Sequence, residues 1–351
     1  MTTVALLKKL LTFRPVTEDL AAVNRLVDFL RGHLHSLGLR TRIERFQGRK
    51  ILYASTRGRR RVPILLNAHV DVVPADAATF RIRREDDWLC GRGAGDCLGN
   101  AAVIARVLDR CRDTADLGAI FTTDEERGGF TTEAMVARGY AGRFIIILDG
   151  GGYRIGIAQK GRLGLRLRAR GRACHSATPW RGENAAERLL EGYARVKKIF
   201  PDVRPGDEWH DTMAPTVLRA GHGTNLIPDD AEMFLDIRFT GRRSADAIVR
   251  AVRAASGLEA EVVVRSPAVI GSAAHPRLRA LHRFMESRLS REIPFVRSNG
   301  ATDARHFAKL RAPIAMIGVP ARHAHSRDEA VSLQGLREYE DWLADFCATQ
   351  A

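Results

Sequence analysis

The sequence of 351 residues contains no long apolar run. A helix that crosses a bilayer needs about 18–20 consecutive apolar residues, and no segment approaches that length. Residues 1–11 carry two lysines within a short apolar stretch and are not followed by a small-residue cleavage site, which argues against a secretory signal. We therefore expect no membrane partner and a cytoplasmic location.

Cysteine is scarce and lacks any pattern of pairing. The five cysteines form an odd, scattered set without a Cys-x-x-Cys pair: Cys90, Cys97, Cys111, Cys174 and Cys347. Small proteins that depend on disulfides carry even numbers of closely spaced cysteines. We therefore expect reduced thiols and no disulfide framework.

Acidic residues are outnumbered, and the formal net charge is +15. The excess arginines are spread in short groups, for example at 59–61, 81–84 and 166–172. No basic stripe alternates with aromatic residues, and no helix-turn-helix or zinc-finger spacing is present. Solvated surface charge is therefore favoured over a nucleic-acid partner. A positive field also favours anionic substrates.

The pattern of apolar residues predicts a layered α/β domain. Short, apolar, β-favouring runs alternate with helical periodicity, which is typical of a mostly parallel sheet covered by helices, an α/β/α arrangement. The strand-like runs span residues 62–73, 118–123, 144–148 and 312–318, and the helical patterns span residues 17–39, 100–112, 131–137, 276–289 and 336–346.

The pattern of apolar residues changes after Lys160. Residues 163–169 alternate apolar and basic side chains, as a half-exposed strand does. Four such strands and two helices within about 110 residues predict an α+β sandwich. Near His275 the sequence returns to helical patterns and continuous apolar, strand-like runs. We therefore predict a catalytic domain of residues 1–160 and 273–351, with residues 161–272 inserted as a second domain.

Ionisable side chains follow the buried strands. The groups after the strand-like runs are His69-Val70-Asp71, Asp124-Glu125-Glu126, Asp149 and His323-Ala324-His325. The carboxyl ends of parallel strands meet at one edge of a sheet, so these groups should converge on one cleft. Asp96 lies in a glycine-rich turn before a helix and can reach the same place.

Histidines and carboxylates together suit zinc or a similar divalent ion. The set is large enough for two ions, which a shared carboxylate would hold about 3.5–4 Å apart. Taken singly, an acidic pair in a loop is usually surface charge, and a histidine after a strand is usually a packing residue. Burying several carboxylates without cations is very costly, so the joint pattern favours a metal centre.

These motifs occur in the order seen in a known family. The motifs are His69-Val70-Asp71, Gly91-Arg92-Gly93-Ala94-Gly95-Asp96, Asp124-Glu125-Glu126, Asp149 and Ala324-His325-Ser326-Arg327-Asp328-Glu329. They resemble the di-zinc family of acetylornithine deacetylase, succinyl-diaminopimelate desuccinylase, aminoacylase, glutamate carboxypeptidase and tripeptidase. The segments 171–179 and 182–185 resemble that family's lid signature, so the resemblance covers nearly the whole chain.

The resemblance implies a set of ligands. His69 and Asp149 would bind one ion, Glu126 and His325 the other, and Asp96 would bridge them. The expected cofactor is a pair of divalent ions per chain, zinc by preference, with cobalt or manganese able to substitute.

The resemblance also implies roles beside the metals. Glu125 would be the general base, and Asp71 would orient His69. The inserted domain would be a lid that forms a homodimer, and its His175 would stabilise the oxyanion in the partner subunit's active site. Asn225 would line the substrate cleft.

Arg238 matches the family arginine that pairs with the substrate carboxylate, a contact that suits a guanidinium fork. Two structural alternatives stay open at this point. Arg238 could be an ordinary arginine on a surface strand, and His175 could be a turn or capping histidine.

Some residues depart from the family pattern. Cys97-Leu98-Gly99-Asn100 stands where the family has an acidic residue or methionine and then lysine. Cys97 is interpreted as a packing thiol, with a thiolate ligand as the alternative. His323 is a rival to His325, although the Ala-His-Ser-x-Asp-Glu context favours His325.

The predicted activity is hydrolysis of an amide bond in a small anionic N-acyl amino acid or short peptide. Both deacylase and exopeptidase fit, with a slight preference for deacylase because the chain is compact. The alternatives from other classes are a catalytically silent peptide- or amino-acid-binding relative and a basic protein associated with nucleic acid.

Overall fold

The computed structural model describes residues 1–350, and the chain forms two compact units. The first unit comprises Met1–Ile157, Gly271–Val296 and the chain from Thr302 onward. The second comprises Ala158–Ile270 and Arg297–Ala301. The roles of catalytic and lid domain remain predictions for these units.

The elements are numbered in chain order. The α-helices are α1 (Thr3–Leu11), α2 (Leu20–Ser36), α3 (Gly99–Arg110), α4 (Phe130–Ala137), α5 (Ala185–Lys197), α6 (Ala245–Ser256), α7 (Pro276–Leu289), α8 (Ala304–Phe307) and α9 (Leu333–Gln350). The strands are β1 (Arg40–Phe46), β2 (Arg49–Ser55), β3 (Arg61–His69), β4 (Arg83–Glu85), β5 (Trp88–Cys90), β6 (Leu117–Thr122), β7 (Ala141–Leu148), β8 (Ile155–Gln159), β9 (Gly161–Arg170), β10 (Cys174–His175), β11 (Thr212–Ala220), β12 (Leu226–Ile227), β13 (Asp230–Phe239), β14 (Glu259–Ser266), β15 (Val269–Ile270), β16 (Phe295–Ser298), β17 (Ile314–Ile317), β18 (Ala321–Arg322) and β19 (Ala330–Ser332).

The first unit is built on a central sheet in the order β1-β2-β6-β3-β7-β17-β8. The four strands β6, β3, β7 and β17 are parallel, and antiparallel strands flank them on both sides. Helices α2, α3 and α9 pack against one another or the sheet, and their apolar faces form one continuous core. The predicted fold class, a mostly parallel α/β domain, is confirmed.

The parallel strands occupy the predicted runs because their side chains are buried on both faces. Every residue of β6 and β17 is buried, as are the last five of β7. The predicted strand 62–73 stops earlier than expected, at His69. Strand β3 ends at His69, β7 ends directly before Asp149, and Asp124 comes soon after the end of β6. These groups therefore lie at one edge of the sheet, whereas His323 and His325 are carried by a loop after β17.

Helix α2 shows how local signals set an element's limits. The Asp19 side chain accepts a hydrogen bond from the Ala22 N–H and caps the first turn. Gly38 takes a left-handed conformation with φ of +85° just after the last turn. The predicted helix of residues 17–39 is confirmed with these tighter ends.

Several elements of the first unit lie outside the sequence predictions, among them helix α1, the hairpin β1–β2 and the small sheet β18-β19-β5-β4. Helix α1 was not predicted, although Thr2 caps its first turn by accepting a hydrogen bond from the Ala5 N–H. The hairpin β1–β2 was also not predicted; β1 is an edge strand in which charged residues dominate, so it lacks the apolar run of the central strands.

The second unit is an antiparallel sheet in the order β11-β13-β9-β14, on which helices α5 and α6 pack. Alternate residues of β9 and β13 are buried against the helices in a separate core. The predicted α+β sandwich, with four alternating strands and two helices, is confirmed. The short antiparallel strand pair β10–β12 belongs to the same unit.

Candidate metal centre

His69 ends strand β3 and is held in one orientation. Its side chain is 2% exposed, and its Nδ1 lies 2.9 Å from the carbonyl oxygen of Asp71 and 3.5 Å from an Asp71 carboxylate oxygen. A carbonyl oxygen can only accept, so Nδ1 carries the proton and Nε2 presents its lone pair. This Nε2 faces Asp96.

Asp96 lies between two histidines. Its Oδ1 is 2.8 Å from His69 Nε2, and its Oδ2 is 3.0 Å from His325 Nε2. Desolvation opposes ionisation of Asp96, but the facing side chains of His325 and His69 outweigh it and lower the pKa of Asp96. The two carboxylate oxygens therefore point in the two directions that a bridging ligand requires.

The remaining predicted ligands complete two groups that share Asp96. One group combines the donor atoms of His69, Asp96 and Asp149 with the sulfur of Cys97, and the other combines Asp96, Glu126 and His325. Within each group the donor atoms all lie within 4.8 Å of one another. His325 Nε2 is 3.1 Å from Glu126 Oε1. The structure thus brings together all five predicted ligands.

The electrostatics of these groups fit bound cations. Desolvation, reinforced by the nearby carboxylates of Asp96 and Glu126, raises the pKa of Asp149 to about 7. Desolvation also raises the pKa of Glu126, with Asp96 adding to the effect. Carboxylates that repel one another in a desolvated site are stabilised by divalent ions. The donor chemistry of imidazole and carboxylate matches ions such as zinc.

Asp71 does more than orient His69. It is fully buried, and its Oδ2 accepts a hydrogen bond of 2.9 Å from the Thr17 hydroxyl. Its two carboxylate oxygens also accept from the backbone N–H groups of Glu125, at 3.2 Å, and Glu126, at 3.4 Å. Asp71 therefore holds the histidine through its carbonyl oxygen and the turn that carries the two glutamates through its carboxylate.

A buried ion pair supports the segments that carry Asp96 and His325. Arg92 pairs with Glu329, and the Arg92 guanidinium also donates to the carbonyl oxygen of His325 at 2.9 Å. Glu329 Oε1 accepts from the backbone N–H groups of Gly95, at 3.1 Å, and Asp96, at 3.0 Å. The pair thus ties the turn of Asp96 to the loop of His325. Both residues stand in the motifs noted in the sequence, but no role was predicted for them.

Glu125 is close to the two groups but contributes no donor to either. Desolvation, together with the charges of Asp149 and Asp303, raises its pKa well above the ordinary value for glutamate. The Arg305 guanidinium lies 3.3 Å from Glu125 Oε1. Neither Asp303 nor Arg305 was singled out from the sequence, because nothing in their local pattern marks them as part of the cleft.

The sequence left Cys97 and His323 open as alternative metal ligands, and the structure shows where each lies. The Cys97 thiol is fully buried and donates to the carbonyl oxygen of Leu148 at 2.9 Å, and burial raises the pKa of this thiol to about 12. Both observations support a packing thiol, although the sulfur lies beside the ligands. His323 is exposed, and within the described residues it belongs to neither donor group.

His175 and Asn225 lie together in the second unit. Strands β10 and β12 pair His175 with Leu226, and the Ser176 N–H donates to the Asn225 carbonyl oxygen at 3.0 Å. His175 Nδ1 accepts a hydrogen bond of 3.1 Å from the Ala177 N–H, so the neutral ring carries its proton on Nε2. This contact is the turn role foreseen as an alternative, and it leaves an exposed donor.

Arg238 lies on a different strand of that unit, in β13. The side chain is half-buried, and its Nε donates to Asp236 Oδ1 at 2.7 Å. Asp236 also accepts a hydrogen bond of 2.8 Å from Arg162. The structure therefore does not gather Arg238 with His175 and Asn225 through direct contacts.

Comparisons with known proteins identify relatives over nearly the full length. The model of the family described as peptidase family M20/M25/M40 matches residues 65–349. The succinyl-diaminopimelate desuccinylase of Granulibacter bethesdensis is 29% identical over 317 residues, which cover 82% of this chain and 82% of that protein.

Solved structures share the fold at lower identity. The aminopeptidase PepT of Bacillus cereus has a TM-score of 0.81 at 16% identity, covering 99% of this chain and 98% of its own. An M20 family metallo-carboxypeptidase of Sulfolobus solfataricus has a TM-score of 0.77 at 16% identity, covering 97% of this chain and 98% of its own.

These findings confirm the family and the predicted class of activity. The chain is a hydrolase of the metallopeptidase and amidohydrolase class, acts on linear amide or peptide bonds and uses divalent metal. Among residues 1–350, no helix combines the length and apolar character needed to traverse a bilayer. The chain belongs to the peptidase family M20/M25/M40.

Proposed function

We propose that this protein hydrolyses the amide bond of a small N-acyl amino acid or short peptide with a free carboxylate, using two zinc ions. His69 and Asp149 would hold one ion, Glu126 and His325 would hold the other, and Asp96 would be shared by both. The observation that carries this proposal is the position of Asp96, whose Oδ1 faces His69 and whose Oδ2 faces His325. Cobalt or manganese can replace zinc in such a donor set.

The chain supplies the proton transfers through Glu125. Bound ions of this kind supply Lewis acidity, which polarises the scissile carbonyl and lowers the pKa of water. Glu125 is held beside the ligands without joining either donor group. It takes the proton from the attacking water and returns it to the nitrogen of the leaving amine.

The second unit recognises the substrate in this proposal. Arg238 binds the free carboxylate through its guanidinium, and Asn225 lines the substrate cleft. The exposed Nε2–H of His175 donates to the oxyanion of the tetrahedral intermediate. As the family resemblance implies, the unit forms a homodimer, and His175 serves the site of the partner subunit.

Deacylation is favoured over peptide cleavage. The relative from Granulibacter bethesdensis, which matches 82% of this chain, is named for removal of a succinyl group from an amino acid. The two peptidases of known structure each share 16% identity with this chain, which supports the fold alone. The formal net charge of +15 also suits an acidic acyl group.

The test combines a substrate panel with a change at the base. N-succinyl, N-acetyl and dipeptide substrates are assayed with zinc and with cobalt, before and after chelation. We expect turnover of an N-acyl amino acid that is lost on chelation and restored by metal. Glu125→Gln should lower kcat by about 10²- to 10⁴-fold, because a general base contributes this much. Its metal content should stay at two ions per chain.

The matched control is Glu133→Gln, an exposed glutamate on α4, which should keep full activity. Full activity of Glu125→Gln would show that the base is wrongly assigned. A protein that binds substrates and metal but turns none over would favour the silent-relative alternative. Strongly salt-dependent DNA binding without hydrolysis would favour the nucleic-acid alternative.

A further inference from the structure

A buried arginine lies against the proposed general base. Arg305, on the short helix α8, places its guanidinium Nη2 3.3 Å from Glu125 Oε1. The side chains of Arg305 and Glu125 are 10% and 12% exposed. A guanidinium is rarely buried to this extent unless it is paired with a carboxylate, because desolvation of an unpaired charge is costly.

Two further carboxylates lie near Glu125, in addition to Arg305 and His69. Asp149 and Asp303 both act on it with like charge. Asp303 is itself buried and held in place, since the hydroxyls of Thr122 and Thr132 donate to its Oδ2 at 2.7 Å and 2.6 Å. These carboxylates repel the Glu125 side chain. The Arg305 guanidinium, 3.3 Å from Glu125 Oε1, supplies a fixed positive charge that offsets this repulsion.

Glu125 is held at two points. Its backbone N–H donates to Asp71 Oδ1 at 3.2 Å, which fixes the main chain. Arg305 contacts Oε1, which fixes the end of the side chain. The other carboxylate oxygen, Oε2, takes no part in this ion pair. With one oxygen engaged, the carboxylate presents the other to a water molecule in a single orientation, and such preorganisation accelerates proton transfer.

We propose that Arg305 is a positioning residue for this reaction: it holds the Glu125 carboxylate through Oε1 so that Oε2 accepts the proton. This inference rests on the proposed function of Glu125 as the base. It assigns Arg305 no contact with substrate and no part in holding metal. A buried arginine could instead bind the substrate carboxylate. In that case Arg305→Ala would weaken binding, and it would lower the rate of the Glu125→Gln protein as much as the rate of the parent.

The test is a double-mutant cycle on the metal-loaded full chain. The variants are Arg305→Ala, Arg305→Lys, Glu125→Gln and the combination of Arg305→Ala with Glu125→Gln. Arg305→Ala should lower kcat by about 10- to 100-fold, the usual effect of losing such a supporting contact, with KM within about twofold of the parent. Arg305→Lys should recover part of the loss, because it keeps the charge.

The combined variant decides between the two roles. If Arg305 acts through Glu125, removing it from the Glu125→Gln protein changes kcat by no more than about twofold, since coupled residues are not additive. Elemental analysis should find two metal ions per chain in all four variants. Calorimetric binding of the free amino acid product should give the parent Kd for Arg305→Ala.

The matched control is Arg311→Ala, an exposed arginine soon after α8, which should match the parent in every assay. The proposal is overturned if Arg305→Ala retains full kcat, loses metal, weakens product binding, or lowers the Glu125→Gln rate by the same factor as it lowers the parent rate. Failure of the base assignment looks different, because Glu125→Gln would then be active on its own.

Discussion

The residues proposed as metal ligands in the first unit and those proposed to bind substrate in the second unit are held in different ways. His69, Asp96, Glu126 and His325 contact one another, and buried partners fix their backbones and rings. In the second unit, His175 and Asn225 are exposed, and Arg238 is engaged with Asp236 on a separate strand.

This difference fits the role that we propose for each set. Metal ligands must be preorganised, because repelling carboxylates would otherwise separate, so their supporting contacts are built within one unit. Residues that recognise a small molecule keep free donors until it arrives. Variants in the first set should therefore change metal content, and variants in the second set should change turnover or affinity at constant metal content.

The largest expected effect in the second unit is at His175. His175→Ala should lower kcat by about 10²- to 10³-fold, because an oxyanion donor is lost, and should leave two metal ions bound. Steady-state kinetics with elemental analysis measures both. Loss of metal instead would break the distinction between the two sets.

The same variant tests the dimer. When His175→Ala is mixed with Glu125→Gln under subunit exchange, part of the activity should return if His175 serves the partner subunit's site, because one site in each mixed dimer is then intact. No recovery in verified mixed dimers would assign His175 to its own subunit or to the turn alone.

An intermediate effect, on metal affinity, is expected when the Arg92–Glu329 ion pair of the first unit is broken. Glu329→Gln keeps the size of the side chain but removes the charge paired with Arg92, and it weakens the acceptor for the Asp96 N–H. Metal affinity should fall by about 10- to 100-fold, as for other supporting contacts of metal ligands. Titration with a competing chelator measures this, and Glu338→Gln, on α9, is the control. Unchanged affinity would mean that Glu329 only stabilises the fold.

The smallest expected effect is at Arg238. Arg238→Ala should raise KM by about tenfold for a substrate with a free carboxylate, because a charge-assisted contact is lost. The same substrate as its amide should show little change. Equal effects on both would favour the alternative of a structural arginine paired with Asp236.

The sequence predicted the part of the centre that depends on topology. Parallel strands deliver their carboxyl ends to one edge, so the groups after β3, β6 and β7 could be placed together from the strand pattern alone. Asp96 and the loop of His325 were also expected in this cleft, and the family resemblance supplied the bridging role of Asp96 and the preference for His325 over His323. The fold class could also be predicted, because strands that are buried on both faces appear in the sequence as short, continuous apolar runs.

The supporting contacts could not be predicted, since they depend on how distant loops pack. Arg92 and Glu329 are separated by 237 positions, and Glu125 and Arg305 by 180. Arginine and glutamate are common in this chain, so their identity alone marks neither pair. Asp71 was assigned to His69, but its hydrogen bonds to the turn of Glu125 depend on backbone positions that no motif encodes.

The central claim is that Asp96 is shared by two divalent ions. Anomalous diffraction at the zinc edge, on crystals of the zinc-loaded protein, tests it most directly. We expect two peaks, one beside His69 and Asp149 and the other beside Glu126 and His325, with one Asp96 oxygen on each; in Asp96→Asn crystals at least one peak should disappear. A single peak, or peaks remote from Asp96, would contradict the account.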